Sequence, residues 1–193
     1  MEITHLKVNH LVNPLGYDLG QPTISYVVRD TLAKKQEKAQ ILVSLDEDFS
    51  ALLYDSGEID TIISTAFPLP INLEPETRYF WKVRVWADNG ESAERPAAWF
   101  ETAKGGEWQA DWITPCTPKE MQMSVFKTWT VTKPVARCRM YLTGVGLYEL
   151  YINGEKQGDE CLLPGFCDYD TWIQYQTYEI MLHSGENEIE VLL

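Results

Sequence analysis

Apolar and polar residues alternate with a period of two along most of this chain, the spacing at which successive side chains of a β-strand face opposite sides of a sheet. Pro22 to Arg29 reads as a short strand, after a lead-in punctuated by Pro14, Gly16 and Gly20. Lys38 to Leu45 alternates with Ala39, Ile41, Val43 and Leu45 on one face. Thr31 to Lys38 is charged and has no apolar stripe, which predicts a loop or turn rather than a helix. Asp55-Ser56-Gly57 marks a turn between two further short strands.

The most informative run is Leu73 to Val85. Tyr79, Trp81, Val83 and Val85 face one way, and Phe80, Lys82, Arg84 and Trp86 the other. Pro75 and Thr77 just ahead of a strand that opens on Tyr79 are the layout of a tyrosine corner, in which the phenol hydroxyl bonds back to upstream backbone. A face bearing both Phe80 and Trp86 predicts cover from another domain, since large exposed apolar patches usually mark interfaces. The strand ends at Asp88-Asn89-Gly90, and Ala97 to Thr102 returns as the last of roughly seven short strands in the first half. That density, without the Cys…Trp…Cys spacing of antibody domains, predicts a fibronectin-type-III-like (immunoglobulin-like) β-sandwich over residues 1–103.

A linker is expected at residues 104–111, with Trp108 and Trp112 packing the junction. Residues 112–193 read as a second β-sandwich. Met123 to Thr132 alternates around Phe126 and Trp129; Ala136, Cys138, Met140 and Leu142 form the next inward face. Tyr148, Leu150 and Ile152 run into Asn153-Gly154, a strong hairpin signal between alternating strands. Gln174 to Ile180 is a further strand, and the chain stops within the alternation Ile189, Val191, Leu193. The second sandwich therefore reads as unfinished, and its open strand edges predict a homo-oligomer or aggregate formed through them. The fold class is all-β throughout.

Composition narrows the partners. The chain carries 29 acidic against 16 basic residues, a net charge of −13. Acidity is even along it, 16 acidic and 9 basic residues over 1–103 and 13 and 7 over 104–193. Such a surface repels phosphate backbones, which argues against nucleic acid and anionic membranes as partners. Residues 1–5 lack the basic and apolar regions of a signal peptide, so the expectation is a soluble cytoplasmic protein. Cys116, Cys138, Cys161 and Cys167 form no CxxC pair, and reduced thiols are expected, a Cys161–Cys167 bridge being the alternative in an oxidising compartment. No cofactor is implied. Asp46-Glu47-Asp48 reads as a solvated turn rather than a calcium site, which needs more convergent oxygens. His5, His10 and His183 are isolated from any nucleophile. Gly144-Val145-Gly146 is too short to cradle a phosphate.

The pair that invites chemistry is Asp168 and Asp170, set among Tyr169, Trp172 and Tyr175. On an extended strand two such residues lie about 6.5–7 Å apart on one face, inside the roughly 6.5–9.5 Å window of an inverting glycosidase. One strand alone cannot hold one carboxyl protonated beside an ionised neighbour without a shaped cleft, and Pro164-Gly165 points to a loop. Tyr148, Asp168, Tyr169, Asp170, Trp172 and Tyr175 are accordingly candidates for carbohydrate contact or a domain interface, with no catalytic residue among them.

Three stretches resemble the N-terminal region of bacterial α-L-rhamnosidases, glycoside hydrolase family 78. They are Leu11 to Asp18 with Pro22 following; Leu73 to Trp86 through Pro75, Thr77, Tyr79, Trp81, Val83 and Val85; and Gly146-Leu-Tyr148-Glu-Leu-Tyr-Ile-Asn153-Gly154, continuing through Gly158-Asp159, Pro164-Gly-Phe166, Asp168-Tyr-Asp170 and Ile173 to Tyr178. Departures are mild, Tyr26 and Phe166 standing where Trp is usual and Cys167 where Thr is. The resemblance implies a fibronectin-like module followed by the N-terminal part of a jelly-roll module of the galactose-binding type. It also implies a downstream (α/α)6 barrel in the same polypeptide, where two carboxylates hydrolyse terminal α-L-rhamnosyl linkages with inversion. No motif of that barrel occurs here, so none of its catalytic residues can be placed. The expected role is a non-catalytic accessory and scaffold region, with rhamnosides as candidate ligands. The alternative is a stand-alone carbohydrate-binding β-sandwich module.

Overall fold

The computed structural model describes residues 1–114 and 122–193, so Cys116 lies outside the described residues. The chain separates into two compact units, Met1–Gly105 and Gly106–Leu193, and both are all-β.

In the first unit, β-branched and aromatic residues at alternate positions build two sheets. One is three-stranded, in the order β1 (Glu2–Val8), β3 (Thr23–Arg29), β6 (Phe67–Pro68). The other runs β2 (Leu15–Tyr17), β9 (Ala98–Thr102), β7 (Arg78–Ala87), β4 (Gln36–Ser44), β5 (Leu52–Asp55), with β8 (Ser92–Glu94) also paired to β7. Strand β7 is the spine: its first half pairs with β9 and its second half with β8. Ile3, Ile24 and Tyr26 from one sheet and Ile41, Val43, Tyr79, Trp81, Val83 and Phe100 from the other join in a single core. Each such side chain contributes about 1.5–3 kcal/mol of transfer free energy when fully buried.

The tyrosine corner forms as expected, with the Glu74 backbone N–H donating to Tyr79 Oη at 2.7 Å. The Thr102 hydroxyl ties down the same turn by donating to Glu74 O at 2.7 Å. Three expectations need correction. Leu45 is exposed, and the buried residue at that end of β4 is Ser44, because the register with β5 shifts between Val43 and Ser44. The loop expected over Thr31 to Lys38 gives way to β4 at Gln36, across a register shift between Gln36 and Lys38. The outer face of β7 supplies cover of its own: Phe80 is buried, Lys38 and Arg84 lie over Trp86 at 4.8 and 5.6 Å, and Arg78 lies over Trp99 at 3.9 Å.

In the second unit a four-stranded sheet runs β10 (Ser124–Val131), β15 (Gly185–Leu192), β12 (Glu149–Ile152), β13 (Glu155–Lys156). A two-stranded sheet pairs β11 (Cys138–Leu142) with β14 (Gln176–Ile180). Tyr148, Leu150, Ile152, Ile189 and Val191 meet Cys138, Met140, Tyr178 and Ile180 between them. Asn153 and Gly154, both at positive φ, close the predicted two-residue hairpin between Ile152 and Glu155. Asn187, almost wholly buried, accepts from Asn153 Nδ2 at 3.1 Å and donates to His183 O at 2.9 Å, fixing that hairpin to the start of β15. Phe126 and Trp129 have opposite parity on β10, and Phe126 faces outward. Strand β15, in which the alternation of Ile189 and Val191 runs, is not an edge but lies between β10 and β12.

Candidate functional site

Residues 157–175 connect the short strand β13 to β14 and hold most of the candidate residues. Glycines and a proline at 158, 164 and 165 prevent alternation here, and the chain takes positive φ at Gly158, Leu162 and Gly165. Leucine in that region is sterically unfavourable and persists only where its surroundings hold it. The loop is anchored at Leu163, next to the strained residue, and again further along. Leu163 O accepts from Tyr148 N at 2.9 Å, Pro164 and Cys167 are buried, and Thr143 Oγ1 donates to Gln174 O at 2.5 Å.

The Asp168–Asp170 pair is not on a strand. Asp168 caps a turn: its Oδ1 accepts from Asp170 N at 3.3 Å and its Oδ2 from Thr171 Oγ1 at 2.8 Å. Its backbone oxygen accepts from Thr171 N and Trp172 N at 2.9 and 3.0 Å. The strand spacing that would have set two carboxylates across a glycosidic bond is therefore absent, and both side chains are exposed.

The six candidates fall into three places. Tyr148 is a core residue, only 4% exposed, its hydroxyl donating to Leu142 O at 3.2 Å and accepting from Tyr178 Oη at 3.4 Å. Burial first, then the Tyr178 hydroxyl, pushes its phenol far above the usual tyrosine range. It has no surface to offer a sugar. Asp168, Tyr169, Asp170 and Trp172 share the loop, Tyr169 meeting Phe166 edge-on at 6.0 Å. Tyr175 instead belongs to an aromatic trio, edge-on to Trp108 at 5.6 Å and to Tyr141 at 6.1 Å. Trp108, expected at a junction, thus packs on a residue of its own unit. The residues missed as candidates are Leu162 and Phe166, which project from the loop at 71% and 93% exposure. The signal available for them was their place around Pro164-Gly165.

In the first unit, Gln40, Leu42, Lys82, Arg84 and Glu94 line a hollow of about 230 Å3 on the outer sheet face. Its charges are matched internally, Glu94 meeting Lys82 at 3.0 Å and Arg84 at 2.9 Å. Asp46-Glu47-Asp48 is a turn in which the Asp46 carboxylate accepts from the Ser50 and Ala51 N–H groups at 2.8 and 3.0 Å and from both Ser44 and Ser50 hydroxyls. Hydrogen bonding, chiefly from Ser50, holds its carboxyl below the usual range. Cys138, Cys161 and Cys167 are free thiols, so the Cys161–Cys167 bridge is not formed. Among the described residues no group of three or more His, Cys, Asp or Glu side chains is placed to hold a metal ion, and no helix is long and apolar enough to cross a membrane.

The family model described as "Rha78A-like, N-terminal immunoglobulin domain" matches residues 3–105, more than half of the chain. The chain belongs to the α-L-rhamnosidase family. A second model, "Alpha-L-rhamnosidase N-terminal domain", matches residues 133–193, so both family models that match this chain describe N-terminal modules. An α-L-rhamnosidase of Formosa agariphila is 28% identical over 228 residues, a span that takes in all of this chain and 24% of that protein. The α-L-rhamnosidase structure from Dictyoglumus thermophilum superposes with a TM-score of 0.83 at 30% identity, covering all of this chain and 25% of that one. The Aspergillus terreus α-L-rhamnosidase structure gives 0.80 at 22% identity and supports the fold alone. The chain spans about a quarter of the length of the relatives it matches.

Proposed function

We propose that this chain is the non-catalytic N-terminal accessory and scaffold region of a longer α-L-rhamnosidase. In that protein, terminal α-L-rhamnosyl residues are hydrolysed with inversion by a downstream domain of the same polypeptide. One observation carries the reading: relatives named as α-L-rhamnosidases match this chain from end to end, yet it accounts for only a quarter of them. The loop geometry agrees with it, because the Asp168 carboxylate is committed to capping a turn. Incubating the chain with an aryl α-L-rhamnoside should give no turnover. Turnover abolished by Asp168→Asn would overturn the proposal.

A second reading, a carbohydrate-binding module, is favoured by one feature: the Trp172 indole is half exposed on an anchored loop that also carries Tyr169, a surface on which the apolar face of a sugar could stack. Titration with rhamnose, followed by tryptophan fluorescence, separates the two. Saturation that is lost in Trp172→Ala supports binding, and a flat titration leaves the scaffold role.

A further inference from the structure

The loop over residues 159–172 presents Leu162, Phe166 and Trp172 at 71%, 93% and 52% exposure. Scattered exposed apolar residues are ordinary on a protein surface, but three from one short loop are not scattered. Burying each would remove apolar surface from water, and the unit instead buries Pro164 and Cys167 and partly buries Leu163 between them. The loop is held from below by the Tyr148–Leu163 backbone bond and from within by the Asp168 cap. A loop so fixed loses little conformational freedom when its tip is covered, which favours tight association, and exposed aromatic anchors are the side chains that dominate interface energies.

Charge identifies the kind of surface that fits. From residue 157 to residue 193 the chain has eight Asp and Glu and no Lys or Arg. Asp159, Glu160 and Asp170 lie within the loop itself. A second copy would bring acid against acid, and an anionic membrane would be repelled likewise. We infer that this loop docks into an apolar pocket ringed by Lys and Arg on the polypeptide that lies outside residues 1–193 in the same protein. This rests on the accessory reading above, and it adds the surface through which that accessory region is joined to the rest.

The test is photo-crosslinking in the longer protein, with a benzophenone amino acid in place of Phe166, a position whose exposure makes it neutral to folding of the unit. Mass spectrometry should find the crosslink within the same polypeptide, on a segment outside residues 1–193 that carries basic residues. Its yield should fall several-fold in Asp170→Lys and as sodium chloride is raised, which screens surface charge. Crosslinks confined to residues 1–193, crosslinks to a second copy, no crosslink at all, or a yield indifferent to both charge tests would each overturn the docking loop. Hydrolysis of an aryl α-L-rhamnoside by the same sample is read separately. Turnover without the crosslink removes the docking loop and keeps the accessory reading, while a longer protein without turnover removes the accessory reading whatever the crosslink shows.

Discussion

Replacing Tyr79 by phenylalanine removes one oxygen atom from the first unit and keeps the rest of the side chain. The ring stays stacked on Phe100, 5.1 Å between centroids and 16° from parallel, so Tyr79→Phe isolates the hydroxyl that accepts from Glu74 N at 2.7 Å. A net intramolecular hydrogen bond is worth about 0.5–1.5 kcal/mol, and a donor left unmatched away from water adds about 1–3. Glu74 is itself exposed, so water can reach part of the freed N–H and the addition falls at the low end. The expected loss is about 1–2 kcal/mol. Urea unfolding followed by tryptophan fluorescence reads it, because Trp81 is fully buried in the same core. For a slope of about 1–3 kcal/mol/M the midpoint should fall by roughly 0.3–2 M. Thr102 holds the same turn, accepting from Thr77 N at 2.9 Å and donating to Glu74 O. Tyr79→Phe and Thr102→Val should therefore couple by about 0.5 kcal/mol or more. A loss under about 0.5 kcal/mol, the scale of an ordinary surface substitution, would refute the view that the corner pins this turn.

Two further predictions concern charge. Arg78 Nε meets Glu101 Oε2 at 2.9 Å with both side chains largely buried, and removing one member of such a pair costs about 3–5 kcal/mol; Glu101→Ala should show that loss in urea, and a loss below about 1 kcal/mol would mean the pair is solvated. The depressed Asp46 carboxyl binds fewer protons folded than unfolded. Its stabilisation is thus complete above the ordinary Asp range and is lost as pH falls through that range towards the folded value. Asp46→Asn should flatten this part of the acid limb of thermal midpoint against pH, and an unchanged acid limb would count against the cap.

Legibility followed how local the determinant was. The Asn153-Gly154 hairpin and the Tyr79 corner each depend on a few adjacent residues, and both stood out in the sequence. Strand β1 did not, since the register with β3 shifts between Thr4 and Lys7 and His5 takes positive φ, so the buried positions pass from Ile3 to Leu6 and Val8. An inserted residue of this kind inverts the parity on which the reading depends. The parallel pairing of β2 with β9 joins residues more than eighty positions apart, a distance at which no local pattern speaks. At the candidate site the loop was legible from Pro164-Gly165, and its acids were. The outward turn of Phe166 was not, because no alternation assigns faces in this loop, and only the burial of Pro164 and Cys167 around it decides which side faces water.

In the first unit the strand that comes last, β9, occupies an interior place between β2 and β7. During synthesis, which delivers residues from the N-terminus onward, the larger sheet of this unit cannot close until that strand has emerged. Until then Phe100 has yet to reach the core it completes. Nascent chains halted within β9 should therefore be far more sensitive to protease than chains halted just beyond it, so this unit has one short interval of vulnerability on the ribosome.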